Sequence, residues 1–196
     1  MHNTSEVFHS VLQQILLSIG LLKSKEVEND VLITIQPYTT ADHPALLKLL
    51  LELQSTYFLE NASPQLYELE HLHNIKNTYS KYLDLIEKSE SGLWQIFLAK
   101  PEINEAIGFI IGRIERDDDL ILNKVGIVED WYVQSSFRRQ GIGLNLYNQL
   151  ERWFKEKGCH QVQSDTWQGN TLSIKAHEQA GFFISGIKFR KKIAAT

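Results

Sequence analysis

Residues 126–150 read GIVEDWYVQSSFRRQGIGLNLYNQL, and this stretch decides the fold. Its first eight residues are rich in Val, Ile and aromatic side chains, as is typical of a strand. A polar segment with two arginines and two glycines follows, and apolar residues then recur at helical spacing. The stretch therefore predicts a strand, a tight turn and an amphipathic helix in direct succession.

The rest of the chain continues this alternation. Apolar periodicity predicts strands at 31–36, 94–99, 106–115, 126–134, 161–165 and 186–193, and helices at 42–53, 64–88, 142–157 and 171–180. Asp42 is the predicted N-cap of the first of these helices, and Gly158 the predicted end of the third. The pattern predicts one mixed α/β (α+β) domain over residues 31–196, with a mixed central sheet flanked by helices.

Residues 1–30 are predicted to form a helical extension to this domain. Val7, Val11, Ile15 and Ile19 recur on one helical face. The stripe predicts an extra helix that packs on its own domain or on a neighbouring subunit, as in a homodimer. It is too short and too interrupted by polar residues to span a membrane, and no Lys or Arg precedes it as in a secretory signal.

Composition narrows the function classes. The chain has 196 residues, a formal net charge of −4 and a single cysteine, Cys159. An acidic balance argues against nucleic-acid binding, which needs a basic face. One cysteine excludes an intramolecular disulfide and a cysteine-based metal cluster. We therefore expect a cytoplasmic protein without a metal, a membrane partner or a nucleic-acid partner.

The turn after the central strand carries the chemistry. Backbone N–H groups at a helix start, together with the helix dipole, form an anion site suited to a pyrophosphate. Gly141 and Gly143 would let the anion approach the backbone. The segment is not a Walker loop, because no Gly-Lys-Ser/Thr follows, and Leu146 stands where a dinucleotide fingerprint has its third glycine. The alternative interpretation is a tight turn with surface arginines.

Several spaced motifs suggest a family. Arg138-x-x-Gly141-x-Gly143 follows a strand that ends in Tyr132-Val133, and Asn170 and Gly181-Phe182 come downstream. This order resembles the acetyl-CoA-binding motif of the GNAT superfamily of N-acetyltransferases. The resemblance covers residues 31–193 and implies that acetyl-CoA binds in a V-shaped cleft between two splayed central strands.

The resemblance also implies roles for individual residues. Backbone groups of Trp131, Tyr132 and Val133 would bind the pantetheine and the thioester. The pyrophosphate would be held by the turn, which consists of Arg138, Arg139, Gln140, Gly141, Ile142, Gly143 and Leu144. Asn170 would contact the cofactor, and it is also a good helix N-cap before Thr171.

Acetyl transfer to an amine needs a group that takes a proton from the ammonium. Glu129 is the predicted base or amine binder. Strand alternation places it with Ile127, Trp131 and Val133, and places Asp130 on the other face with Val128 and Tyr132. Its alternative role is a structural hydrogen bond. His177 occupies the position where many family members carry a tyrosine acid. Tyr132 and Tyr147 are the alternative phenols.

The acceptor is suggested by a local resemblance. Ser164-Asp165-Thr166, followed by Asn170, looks like aminoglycoside 6'-N-acetyltransferases. That branch implies that Glu129 and Asp165 bind a polycationic substrate, with Asp165 also proposed as base, and that the 117–119 loop adds negative charge. We therefore expect direct transfer to a small cationic amine without an acyl-Cys159 intermediate. Transfer to protein or peptide amines, and acyl-CoA binding by a non-catalytic regulator, are the alternatives.

Overall fold

A computed structural model describes residues 32–60, 63–64, 74–90, 92–102, 105–116, 118–119 and 121–193. The strands are β1 (Ile33–Pro37), β2 (Trp94–Pro101), β3 (Gly108–Arg116), β4 (Lys124–Val133) and β5 (Gln161–Ser164). The helices are α1 (His43–Glu60), α2 (Ile75–Lys88), α3 (Ile142–Glu156) and α4 (Thr171–Gln179). Short 3-10 turns precede α1 and follow β4.

The strands of the described residues form one mixed sheet in the order β1-β2-β3-β4-β5. The first four strands are antiparallel neighbours, whereas β4 and β5 run parallel. The parallel pair requires a crossover, and α3 supplies it between β4 and β5. The sheet flanked by helices confirms the predicted fold class.

Helices cover both faces of the sheet and create two apolar layers. On one face the buried side of α3, with Ile142, Leu146, Leu150 and Phe154, packs on Phe97 and its neighbours. On the other face, α1 and α2 contribute Leu46, Leu49, Leu50, Leu83 and Ile86, which pack on Leu98 and Phe109. The predicted apolar face of α3 is therefore confirmed.

Two strand glycines bring α3 close to the sheet. A Cβ atom at Gly112 would lie 2.7 Å from a Leu150 methyl group, and one at Gly126 would lie 2.7 Å from the Phe154 ring. Side chains at these positions would displace α3, whose first turn carries the predicted anion-binding segment. The position of that turn therefore depends on glycine in β3 and β4.

Two local predictions are wrong. Asp42 is not an N-cap but the last residue of the 3-10 turn Thr40–Asp42, whose N-cap is Thr39. Its carboxylate accepts hydrogen bonds from the Thr39 N–H at 3.0 Å and from the Thr39 hydroxyl at 2.9 Å. Residues 183–193 form no strand, and Phe183, Ile187 and Phe189 are exposed. Alternation favoured a strand there, but no neighbouring strand among the described residues supplies hydrogen bonds.

The predicted extension, residues 1–30, and the dimer contact assigned to it lie outside the described residues. No described helix combines the length and apolarity needed to cross a membrane.

Leu150→Ala should lower the free energy of unfolding by about 3 kcal/mol, because a buried leucine loses its contacts and leaves a cavity. Leu144→Ala makes the same change on the same helix at a side chain that is 40% exposed, and should cost less than about 1 kcal/mol. Chemical denaturation measures both values. Equal losses would contradict the assigned face of α3.

Candidate active site

The central feature of the site is a strand edge that loses its neighbour. The pairing of β4 with β5 runs from Val125–Gln161 to Val128–Ser164 and stops there. β4 continues for five residues to Val133, paired on its other side with β3. Residues 129–133 therefore have no β5 partner among the described residues, and we call them the open edge.

Backbone alternation determines which groups face outward along the open edge. The Gln134 N–H donates to the Ile107 carbonyl at 2.9 Å, on the β3 side. Because successive residues of a strand point their backbone groups to opposite sides, those of Tyr132 also face β3, and those of Trp131 and Val133 face outward. The Val133 carbonyl accepts a hydrogen bond from the Arg138 Nε at 2.8 Å. The backbone groups of Trp131 and the N–H of Val133 therefore point to the side of β4 that β5 leaves open.

A β-bulge at Glu129 reverses the alternation of β4. Ile111 pairs with Asp130, whereas Gly112 pairs with Val128, so Glu129 is an extra residue. As a result Val128, Trp131 and Val133 pack on the α3 side. Tyr132 packs on the α1/α2 side. The prediction that Val128 shares a face with Tyr132 is therefore wrong.

The same bulge places Glu129 and Asp130 on one face. Glu129 forms an ion pair with Arg113. Arg113 faces α2, because Gly112 before it faces α3 and Trp94, its partner across the sheet, packs in the α1/α2 layer. Burial raises the pKa of Tyr82 on α2, and the charges of Asp130 and Glu129 raise it further, so both carboxylates lie near that helix. Alternation predicts that Glu129 lies on the face of Trp131 and Val133. That prediction is wrong, because Glu129 lies on the α2 face.

Asp130 is the most perturbed carboxyl group of the site. Burial raises its pKa to about 7, and the charges of Glu129 and Asp165 add to the rise, while the Tyr82 hydroxyl opposes it. Asp165 follows the last residue of β5 and is exposed. Three carboxylates therefore surround the start of the open edge, and only Glu129 has a cationic partner among the described residues.

The turn between β4 and α3 has the backbone form that an anion site needs. Gly141 is the N-cap of α3 with φ +80°, and no atom lies within 4 Å of the place where its Cβ would be. The N–H groups of residues 142–144 have no backbone acceptor among the described residues. Arg139 has φ +64°, a conformation rare for a residue with a side chain. These groups fit a pyrophosphate.

The other predicted turn residues divide between the core and the surface. Ile142 is buried in the α3 layer, whereas Gln140 and Leu144 are exposed. Gly143 lies against the Trp131 indole, since a Cβ there would be 3.4 Å from its Nε1 atom. Arg138 places its guanidinium 5.5 Å from the centroid of the Tyr132 ring and also bonds the open edge. Its side chain therefore fastens the turn to β4.

His177 lies beside the end of β5. Its Nε2 atom is 2.8 Å from the Ser164 hydroxyl, and its Nδ1 atom is 2.7 Å from the Ser173 carbonyl. Since a carbonyl only accepts, the neutral ring carries its proton on Nδ1, and Nε2 accepts from Ser164. The ring packs edge-on against Trp131 at 5.5 Å. His177 thus contacts Trp131 of the open edge directly and the Ser164 hydroxyl at the end of β5.

The remaining candidates have structural roles as well. Asn170 is the N-cap of α4, where its side chain accepts from the Ser173 N–H at 3.1 Å. Tyr147 stacks on Trp131 at 5.7 Å, and burial raises its pKa to about 12. Tyr132 is buried on the opposite face. Asp118 pairs with Arg116 at 3.1 Å in the loop that precedes β4, at the end of that strand away from the open edge. The prediction that this loop adds negative charge at the acceptor site is therefore wrong for Asp118.

Comparison with known proteins identifies this arrangement. The model of the acetyltransferase (GNAT) family matches residues 47–182. The chain belongs to the GNAT family. Among solved GNAT-like folds, the aminoglycoside N-acetyltransferase AAC(6')-Iy in complex with CoA superposes with a TM-score of 0.64, at 23% identity over 85% of this chain and 99% of that one. Glucosamine-6-phosphate N-acetyltransferase from Arabidopsis thaliana gives a TM-score of 0.59 at 18% identity, over 83% and 99% of the two chains.

A curated relative is similar over less than half of the chain. Aminoglycoside N(6')-acetyltransferase type 1 from Klebsiella aerogenes is 36% identical over 88 residues, which is 44% of this chain. The match covers 58% of that protein, so the chain spans a little over half the length of this relative.

Sequence reasoning missed Asp130, Arg113 and Ser164 as parts of this GNAT site. Arg113 lies on another strand, so no local motif connects it with Glu129. Alternation places Asp130 on the correct face but Glu129 on the wrong one, because the bulge changes alternation without a clear sequence signal. The prediction therefore separates two carboxylates that the structure brings together. Ser164 stood within the quoted Ser164-Asp165-Thr166 motif, and that motif was the available signal.

The raised pKa of Asp130 should make stability depend on pH. The folded state keeps a proton that the unfolded state releases near the ordinary pKa of 3.8, so stability falls as pH rises from about 4 to about 7 and levels off above that value. Between pH 6 and pH 8 the free energy of unfolding should fall by about 1.4 kcal/mol more in the wild type than in Asp130→Asn. Asp84→Asn, at an exposed position on α2, is the control and should follow the wild type. Parallel wild-type and Asp130→Asn curves would contradict the assigned environment.

Proposed function

We propose that this chain is an acetyl-CoA-dependent N-acetyltransferase that transfers acetyl directly to a primary amine of a small cationic molecule of the aminoglycoside type. The observation that carries the proposal is the open edge of β4 beside the glycine-initiated start of α3. Membership of the GNAT family and the similarity to aminoglycoside N(6')-acetyltransferase type 1 support it.

The donor would bind along the open edge. The pantetheine amides can extend the sheet by bonding to Trp131 and the Val133 N–H, as an added strand would. The pyrophosphate would lie at the N-terminus of α3, on the N–H groups of residues 142–144, with charge from Arg138 and Arg139. An outward N–H of the open edge can then stabilise the oxyanion that forms when the thioester is attacked.

The acceptor would bind on the face of the sheet that carries the carboxylates. Glu129 and Asp165 flank the start of the open edge and attract ammonium groups. The amine nitrogen forms a bond to the acetyl carbon, the carbon–sulfur bond breaks, and CoA leaves as a thiolate. With a proton on both ring nitrogens, His177 would donate from Nε2 to the Ser164 hydroxyl, and that hydroxyl would give its own proton to the thiolate. We place this reaction in the cytoplasm, since a chain with a single cysteine has no intramolecular disulfide and suits a reducing compartment.

Gly141→Asp should weaken CoA binding about tenfold or more, because its carboxylate would repel the pyrophosphate. Gly141→Asn keeps the size without the charge and tolerates positive φ, so it should bind more tightly than Gly141→Asp. Gly158→Asp, at φ +75° after the C-terminal end of α3, is the matched control and should retain wild-type affinity. Calorimetry with CoA measures all three, and full affinity in Gly141→Asp would refute the anion site.

An amine panel of aminoglycosides, polyamines and peptides, followed by CoA release, tests the substrate class. Turnover should be fastest with the aminoglycosides. Glu129→Gln and Asp165→Asn should each lower kcat/KM about tenfold, since each removes a charge that binds the ammonium. Asp118→Asn, in the loop before β4, should not change kcat/KM. Turnover restricted to peptides would point to the protein-directed alternative, and full activity in either site variant would remove that carboxylate from the site.

A further inference from the structure

We propose that the Asp130 carboxylate takes the proton from the acceptor ammonium, while Glu129 holds that ammonium in place. This step rests on the acetyl transfer proposed above. It assigns different tasks to two adjacent carboxylates, and the strand alternation expected from sequence would have separated them.

The bulge is the reason that both carboxylates are available to one acceptor. In a regular strand, neighbouring side chains lie on opposite faces. The extra residue in β4 leaves Glu129 and Asp130 on the same face, toward α2. Both lie where β4 leaves β5, and Asp165 continues from the end of β5. An ammonium bound between Glu129 and Asp165 is therefore also next to Asp130.

The two carboxylates differ in their partners. Glu129 accepts from the Arg113 guanidinium, which also bonds Glu115 at 2.7 Å. A carboxylate that a guanidinium fixes in position suits the binding of a substrate ammonium better than the exchange of a proton with it. Asp130 has no cationic partner among the described residues and is partly buried. Of these two carboxylates, Asp130 is therefore the one that an incoming ammonium would pair with first.

The groups that face Asp130 favour exchange of a proton near neutral pH. Tyr79 and Tyr82 face it from α2, Glu129 lies beside it and Asp165 lies beyond β5. Burial raises the pKa of both tyrosines, so they stay neutral. The Tyr79 hydroxyl donates to Gln54 at 2.9 Å. The Tyr82 hydroxyl is buried and lies near Asp130.

Arg113 is the nearby cation, and Glu129 with Glu115 engages it. Burial and the two neighbouring carboxylates accordingly raise the pKa of Asp130 to about 7. A base of this strength matches the working pH of an enzyme better than an ordinary aspartate does.

The proton balance of the step is complete. The ammonium gives one proton to Asp130, and the neutral amine attacks the thioester carbonyl. The new C–N bond forms, the C–S bond breaks, and the nitrogen loses its second proton as the thiolate gains one. The products are the amide and CoA thiol, and Asp130 releases its proton to solvent for the next cycle.

The test compares pH profiles of kcat/KM for the wild type, Asp130→Asn, Asp130→Glu and Glu129→Gln, with the best amine of the panel. The wild type should show an acidic limb near pH 7. Asp130→Asn should lose at least about 100-fold in kcat, a typical effect of removing a general base. The remaining rate of Asp130→Asn should have no limb near pH 7 and should rise with pH in proportion to the fraction of the acceptor that is present as free amine. Asp130→Glu should recover part of the rate and keep an acidic limb, whereas Glu129→Gln should raise KM more than it lowers kcat.

Two controls separate a catalytic role from a structural one. CoA affinity should be unchanged in Asp130→Asn, which shows that the fold and the donor site are intact. Asp84→Asn, at an exposed position on α2, should retain the wild-type profile.

An Asp130→Asn enzyme that keeps a third or more of wild-type kcat, or keeps the limb near pH 7, would overturn the proposal. Loss of the acidic limb near pH 7 in Glu129→Gln would also overturn the proposal, because the limb would then belong to Glu129. An inactive wild type would instead overturn the proposed function, and this step with it.

Discussion

The site depends on the point where β4 and β5 stop pairing. The last pair is Val128 with Ser164, and the bulge at Glu129 follows immediately. Loss of the neighbour leaves the outward N–H and carbonyl groups of Trp131 without a strand partner. A cosubstrate with amide groups can satisfy them in the way a strand would. The bulge then determines which side chains accompany the open edge.

From this point the two halves of the proposed reaction lie on opposite faces of one strand. On the α3 face, Trp131 contacts His177 and Tyr147 and leads through the turn to the N-terminus of α3. On the α2 face, Glu129 and Asp130 form a negative surface. Positive potential from the helix terminus and negative potential from the carboxylates are therefore separated by the thickness of β4. That separation suits an anionic donor and a cationic acceptor that must meet at the strand edge.

Most of the fold could be predicted because its signals are local. The amphipathic face of α3 and the glycine at its start lie within one short segment, and the structure confirms both. The features that the sequence did not indicate depend on distant partners. The Glu129–Arg113 pair joins two strands, and the bulge arises from their register. Residues 186–193 have strand-like alternation, but alternation alone supplies no hydrogen-bond partner.

The most direct test is an amide NMR titration of the full chain with CoA. If the open edge and the start of α3 form the donor site, the amide signals of Trp131, Val133, Gly141 and Gly143 should shift together with one dissociation constant. The amide of Tyr132, which faces β3, should shift less. Saturable binding that leaves Trp131 and Val133 unaffected would contradict the account.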